Sequence, residues 1–74
     1  MRPDKSVKME EPLSDRELDV LTLISQGLSN KDIGERLYIE TRTVKWHTSN
    51  IIGKLGVKNR TQAVAKAREL GLMK

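Results

Sequence analysis

The sequence predicts an all-α fold: a compact four-helix domain that contains a helix-turn-helix and follows a flexible N-terminal tail. Four segments place apolar residues at helical spacing, and residues typical of helix starts and stops separate them. No segment shows the alternation typical of a strand. With 74 residues the chain has room for one small core, and without cysteine it has neither disulfides nor thiolate metal ligands.

Residues 1–12 differ in character from the rest of the sequence. They alternate acidic and basic side chains, include two prolines, and offer only Val7 and Met9 to a hydrophobic core. Such a segment buries too little apolar surface to offset the entropy of ordering. We therefore expect a flexible tail or linker stub over residues 1–12 and the folded domain over residues 13–74.

The first two helices are predicted from their capping residues. Ser14 and Glu17 have the spacing of a capping box, and Gly27 marks the end of helix one. Ser29 repeats the cap for helix two, which at about eight residues needs its neighbours for stability. The apolar stripes of the two helices are Leu18, Val20, Leu21, Leu23, Ile24 and Leu28, then Ile33 and Leu37.

A tight connection and a longer third helix follow. In the connection, Tyr38 is expected to act as an aromatic anchor near the turn, and Ile39 is expected to be buried. Helix three is predicted over residues 41–55, with Gly56 as its C-terminal stop. The core side of this helix is Val44, Thr48, Ile51 and Leu55, flanked by His47 and Ile52.

A fourth helix is predicted over about residues 60–70. Asn59 is a plausible cap, with Gln62 three residues later, and Gly71 marks the end. Two stripes divide this helix: Ala63, Ala67 and Leu70 are spaced for the core, while Val64, Ala65 and Arg68 lie toward another side.

The net charge of +4 is unevenly distributed along the chain. Residues 1–12 carry three basic and three acidic side chains, residues 13–40 carry three and six, and residues 41–74 carry eight and one. So basic a second half predicts an anionic partner, most commonly nucleic acid. The alternative is a solvated basic surface without a partner.

The outward face of helix three favours double-stranded DNA. Two short helices followed by a basic one match the helix-turn-helix plan, in which the later helix enters the major groove. Residues 41–55 include no acidic side chain, which would repel phosphate. Opposite the core side lie Arg42, Trp46, Ser49, Asn50 and Gly53, with Thr43 and Lys45 on the flanks.

Five sequence blocks, in order and spacing over residues 13–72, resemble the LuxR/NarL/FixJ-type helix-turn-helix domain. They are Leu13-Ser-Asp-Arg-Glu17, Gly27-Leu-Ser-Asn-Lys31-Asp-Ile33, Thr43-Val-Lys-Trp-His47, Ile51-Ile-Gly-Lys-Leu-Gly-Val57 and Asn59-Arg-Thr-Gln-Ala63. The resemblance implies a DNA-binding domain of bacterial transcription regulators that binds paired half-sites as a dimer. We expect a cytoplasmic protein with no cofactor, no metal site and no membrane partner.

The resemblance also implies a set of site residues. Lys and Ser can pair with base edges, an aromatic ring can contact a thymine methyl, and a helix N-terminus attracts phosphate. Base contacts are expected from Lys45, Trp46 and Ser49, with Arg42 at the start of the helix. Phosphate contacts are expected from Ser29, Asn30, Lys31, Thr43, His47 and Lys54. The homodimer contact is expected from Val64, Ala65 and Arg68, and RNA polymerase is a further candidate partner.

The sequence departs from the family pattern at two positions. Glu40 stands where Ser or Thr is usual, so capping of helix three is expected to shift to Thr41. Gly34 stands where Ala is usual, and Gly53 adds a second helical glycine. Each glycine costs roughly 0.5–1 kcal/mol of helix stability, so we expect a domain less stable than its relatives.

Other interpretations stay open at this point. For Trp46 they are packing against neighbouring side chains or a contact with another domain, and for His47 a satisfied residue at the core boundary. For the whole chain they are a sigma-factor promoter-recognition domain and a small helical protein-interaction module. An enzyme is disfavoured, because nothing assembles a nucleophile or an acid–base pair and a single histidine cannot form a two-histidine metal site.

Overall fold

The computed structural model describes residues 13–73 and confirms the predicted all-α architecture. The four helices are α1 (Asp15–Ser25), α2 (Asn30–Leu37), α3 (Thr41–Leu55) and α4 (Arg60–Glu69). None of the helices in this part of the chain is long and apolar enough to cross a membrane. The tail predicted over residues 1–12 lies outside the described residues.

Side-chain caps start three of the four helices. At α1 the capping box is complete: Ser14 Oγ accepts from Glu17 N at 3.1 Å, and Glu17 Oε1 accepts from Ser14 N at 2.8 Å. Ser29 caps α2 in the same way, and Asn59 Oδ1 accepts from Gln62 N at 2.8 Å at the start of α4. The predicted caps of α1, α2 and α4 are therefore confirmed.

The start of α3 differs from the prediction. Its N-cap residue is Glu40, which has extended backbone and makes no side-chain cap bond, so the expected shift of the cap to Thr41 is wrong. The Glu40 carboxylate instead accepts from Arg42 Nε at 2.9 Å. The free N–H groups of the first turn of α3 consequently receive no bond from the N-cap side chain.

The core joins residues from all four helices. On α3 the buried residues match the predicted core side, and Thr48 Oγ1 satisfies its hydrogen-bonding capacity by donating to Val44 O at 2.9 Å. Ile39, expected to be buried, is half-buried and packs against the core. The buried apolar residues are Leu13, Val20, Leu21, Leu23, Ile24, Ile33, Val44, Ile51, Leu55, Ala63 and Ala67.

Two residues expected in or near the core are exposed. Tyr38 is 94% exposed because it is the C-cap of α2 in the left-handed conformation (φ 61°), so its predicted role as an anchor is wrong. Leu70, predicted for the core, is 47% exposed. Gly71 (φ 75°) reverses the chain after α4, Leu72 N donates to Ala67 O at 2.8 Å, and Leu72 packs against the core instead.

The two helical glycines have opposite surroundings, which separates their expected effects on stability. A Cβ on Gly34 would lie 2.7 Å from the carbonyl oxygen of Ile39, because the left-handed turn folds the chain back over α2. A Cβ on Gly53 would meet nothing within 4 Å. Gly34 therefore permits the close α2–α3 turn, whereas Gly53 has no such packing reason.

We expect Gly34→Ala to lower the free energy of unfolding by about 1–2 kcal/mol, because the backbone of the turn must move. Gly53→Ala should raise it by roughly 0.5–1 kcal/mol through helix propensity alone. Urea unfolding followed by circular dichroism measures both, and the two variants control for each other since each adds one methyl group to a helix. A stabilised Gly34→Ala variant would contradict the assignment.

Candidate nucleic-acid interface

The outward face of α3 brings the predicted base-contact residues together. Lys45, Trp46 and Ser49 are exposed, and spacings of three and four residues place them side by side along the helix. Arg42 is exposed one turn earlier, with its side chain 85% accessible. The surface combines two cations, a hydroxyl and an indole, and no acidic residue lies within α3.

Trp46 and His47 form the aromatic part of this surface. The indole is 62% exposed, and its ring lies edge-on to the imidazole with 5.1 Å between ring centroids. His47 is half-buried, and its Nδ1 is buried with no hydrogen-bond partner among residues 13–73. His47 is thus a boundary residue by burial, with one ring nitrogen that finds no partner among these residues.

The N-terminus of α2 presents a second group of polar residues. Ser29 and Lys31 are exposed and Asn30 is half-buried. The first backbone N–H groups of a helix have no partner inside it, so this end of α2 attracts anions. The structure places these three predicted phosphate-contact residues together, while Thr43 lies half-buried in the first turn of α3.

Lys54 has an internal partner. Its Nζ donates to Glu17 Oε1 at 2.9 Å, and the two side chains are 25% and 6% exposed. Burial raises the pKa of Glu17, but hydrogen bonds from Lys54 and from Ser14 N, together with the Lys54 charge, lower that pKa below its ordinary value of 4.5. The predicted phosphate contact of Lys54 competes with this ion pair.

The residues predicted to form a dimer contact border a shallow cavity between α1 and α4. Val64 is half-buried, whereas Ala65 and Arg68 are exposed. The cavity has a volume of about 440 Å³, and its other lining residues are Ile24, Ser25, Gly27, Leu28, Arg60 and Thr61. The three predicted dimer residues therefore lie along one side of a single cavity.

The sequence matches a protein-family model described as "Bacterial regulatory proteins, luxR family" over residues 11–67. The chain belongs to the LuxR family. The family is one of regulatory proteins, so the predicted helix-turn-helix domain of the transcription-regulation class is confirmed, and the sigma-factor interpretation is not supported. This outcome also accounts for the five sequence blocks, all of which fall inside the matched range.

Curated relatives of this LuxR-family chain are transcription regulators. The transcriptional regulatory protein LiaR of Bacillus subtilis (strain 168) is 53% identical over 57 residues, which cover 77% of this chain and 27% of LiaR. DegU of Brevibacillus brevis is 47% identical over 73 residues, covering 95% of this chain and 31% of DegU. The chain therefore spans about a third or less of the length of these relatives.

Two solved structures share the LuxR-family fold. The response regulator ChrA of a heme-sensing two-component system superimposes with a TM-score of 0.83 at 44% identity, over 89% of this chain and 33% of ChrA. The transcription factor GerE superimposes with a TM-score of 0.78 at 38% identity, over 88% of this chain and 92% of GerE. The second match covers nearly all of its chain, so this fold occurs as almost the whole of another protein.

Sequence reasoning missed two long-range contacts of the LuxR-family domain. The first is the ion pair of Glu17 with Lys54. The sequence carried a signal for it: Glu17 precedes Leu21 by four residues and so lies on the same, buried face of α1, where a carboxylate needs a partner. Arg60 donates to Asn30 Oδ1 at 2.7 Å from 30 positions away in the sequence. No local pattern indicates this second contact.

Proposed function

We propose that this LuxR-family domain binds double-stranded DNA sequence-specifically, with α3 in the major groove, as part of a bacterial transcription regulator. The acid-free outward face of α3 carries the proposal, because it presents Lys45, Trp46 and Ser49 together on a helix-turn-helix. In this motif the recognition helix lies in the groove while the preceding helix crosses the phosphate backbone.

Base recognition is proposed for four side chains of α3. Lys45 donates to O6 or N7 of guanine, Ser49 pairs with a neighbouring base edge, and the Trp46 ring contacts a thymine methyl. Arg42 lies at the start of the helix, where its guanidinium reaches either a base edge or a phosphate. Arg42 Nε donates to the Glu40 carboxylate at 2.9 Å, and both side chains are exposed, so the guanidinium can leave this pair for the duplex.

Phosphate contacts are proposed at both helices. Ser29, Asn30 and Lys31 face the backbone from the N-terminus of α2, and Thr43 and His47 flank the recognition face. Such contacts fix the register of the protein on the duplex without reading sequence. Lys54 is the weakest member of the predicted set, because a phosphate contact requires it to leave Glu17.

Two copies are proposed to bind paired half-sites, with α4 of each copy against α4 of the other through Val64, Ala65 and Arg68. The patch is small, so we expect weak association in solution and assembly of the pair on DNA. Sedimentation of the domain with a duplex carrying two half-sites tests this. One copy bound per two-site duplex would contradict it. RNA polymerase as a partner of the full regulator rests on the family alone.

The DNA-binding proposal is tested by selecting bound sequences from a random duplex pool and then titrating the selected duplex at several salt concentrations. We expect affinity to fall with salt, with a log–log slope of about −0.9 for each phosphate contact. Lys31→Ala should weaken binding to all duplexes alike and reduce the slope by about one contact. Binding that does not change between low and physiological salt would rule the proposal out.

Glu40→Ser is expected to improve both folding and DNA binding. A serine oxygen can cap the first turn of α3, which Glu40 leaves without a side-chain bond, so the free energy of unfolding should rise by about 1 kcal/mol. The change also removes a negative charge beside the proposed phosphate contacts. Thermal melts measure the first effect and duplex titration measures the second; weaker DNA binding by the variant would count against the placement of α3.

A further inference from the structure

Arg60, the first residue of α4, ties α4 to the start of α2. Its Nη1 donates to Asn30 Oδ1 at 2.7 Å, and its Nη2 donates to Leu28 O at 3.0 Å. Both bonds are part-buried, and Arg60 itself is half-buried. One guanidinium therefore holds both the connection between α1 and α2 and the first side chain of α2.

The chemistry of the guanidinium sets the orientation of the Asn30 amide. Arginine has five N–H donors and no acceptor, so only the oxygen of the amide can face it. The amino group of Asn30 must consequently point away from Arg60. The amide is thereby held at the end of α2 where phosphate contact is proposed, and its two donors are not used by the guanidinium.

The charge of Arg60 opposes the dipoles of two helices. A cation at a helix N-terminus opposes the helix dipole, and Arg60 lies at the N-termini of α4 and α2 at once. The first turn of α4 contains no acidic residue, and Lys31 adds a further charge at α2. Asp32 is the one acidic residue in the first turn of either helix. A DNA phosphate placed at this point would offset the positive charges of Arg60 and Lys31.

We propose that Arg60 is a positioning residue for the DNA backbone: it holds the Asn30 amide with its amino group toward a phosphate at the N-terminus of α2. This inference rests on the proposed DNA-binding function. Arg60 thereby couples the phosphate contact at the N-terminus of α2 to α4, the helix proposed to form the dimer.

A double-mutant cycle on the selected duplex tests this role. Arg60→Lys keeps the charge but loses the fork that reaches both acceptors, so it should weaken binding roughly fivefold, as should Asn30→Ala. Because both changes remove the same interaction, the double variant should also bind roughly fivefold more weakly, rather than with the product of the two losses. For Arg60→Lys combined with Lys45→Ala, the fold-losses of DNA affinity should multiply, since those two sites are independent.

Arg16→Lys is the matched control, because Arg16 is exposed on α1 and its ion pair with Asp19 spans 3.9 Å. All titrations are made below the melting transition of each variant, followed by circular dichroism. The positioning role is wrong if Arg60→Lys binds DNA as tightly as the parent. It is also wrong if the affinity losses of Arg60→Lys and Asn30→Ala multiply in the double variant. In both cases the parent still binds DNA. A parent without salt-dependent binding would instead overturn the proposed function itself.

Discussion

Lys54→Ala is expected to lower the free energy of unfolding by about 2–3 kcal/mol, a large loss for a domain of this size. In the parent the Glu17 side chain is 6% exposed, and removal of Lys54 leaves Ser14 N as the backbone donor to its carboxylate. Removing one partner of a buried pair typically costs about 3–5 kcal/mol, and partial exposure of Lys54 reduces the expected figure. Urea unfolding at neutral pH measures the loss.

The pH dependence of that loss follows from the pKa of Glu17. In the parent the pKa of Glu17 is lowered, mainly because Lys54 and Ser14 outweigh the opposite effect of burial, so its contribution to stability is present above the unfolded value and is lost as pH falls through the folded value. Without Lys54, burial acts with less opposition and favours the protonated acid. The stability difference between parent and Lys54→Ala should therefore shrink as pH falls from about 7 toward about 4.

Two further variants separate the ion pair from general effects of charge. Lys66→Ala removes an ammonium whose partner Glu69 is exposed and 3.8 Å away, so it should change stability by less than about 0.5 kcal/mol. Glu17→Gln combined with Lys54→Met should recover much of the loss, because glutamine can keep the capping bond from Ser14 N and no buried charge remains. If Lys54→Ala leaves stability unchanged and reduces the salt slope of DNA binding by one contact, the ion pair with Glu17 is unimportant and Lys54 contacts a phosphate instead.

The helices and most of their boundaries were predictable because the signals are local. Ser14 and Glu17 lie three residues apart, and Gly56 occupies the left-handed position that ends α3 (φ 67°). Backbone donors at a helix start must find partners within a few residues, so capping residues reveal these positions without knowledge of tertiary structure. The core side of α3 followed from the helical period for the same reason.

The features that the sequence did not predict, the exposure of Leu70 and the ion pair of Lys54, depend on residues outside the helix concerned. Leu70 has the spacing of a core residue, but Gly71 turns the backbone so that Leu72 reaches the core. Lys54 lies on a basic helix and therefore resembles a phosphate contact, whereas its partner Glu17 lies 37 residues earlier. Spacing within one helix cannot distinguish a solvent-facing cation from one paired across the core, since both satisfy the same local pattern.

Lys45→Ala and Trp46→Ala are expected to remove sequence preference in DNA binding, with each change costing about 1–3 kcal/mol on the selected duplex. Both side chains are exposed on α3 and make no hydrogen bond or ion pair within residues 13–73, so the fold should keep its stability. A loss of affinity can then be assigned to the interface. Competition of the selected duplex against scrambled duplex measures the preference.

Lys31→Ala supplies the contrast. It also removes an exposed lysine, yet we expect it to weaken selected and scrambled duplexes alike, because a phosphate contact carries no base information. Lys45→Ala should instead narrow the difference in affinity between the selected and the scrambled duplex. It should lower the salt slope of binding less than Lys31→Ala does. If Lys31→Ala and Lys45→Ala lose the same affinity for the selected and the scrambled duplex, base recognition by Lys45 is contradicted.

Trp46 allows the interface to be located directly, because it is the sole tryptophan of the chain. An indole that is 62% exposed loses water when α3 enters the groove, so its fluorescence should change on addition of duplex, and the change should saturate with binding. Trp46→Phe should retain part of the sequence preference by keeping an aromatic ring against the base. If fluorescence stays constant while DNA binds, and Trp46→Ala retains full preference, the proposed base contact of Trp46 is wrong, and Lys45, Ser49 and Arg42 are the remaining base-contact residues.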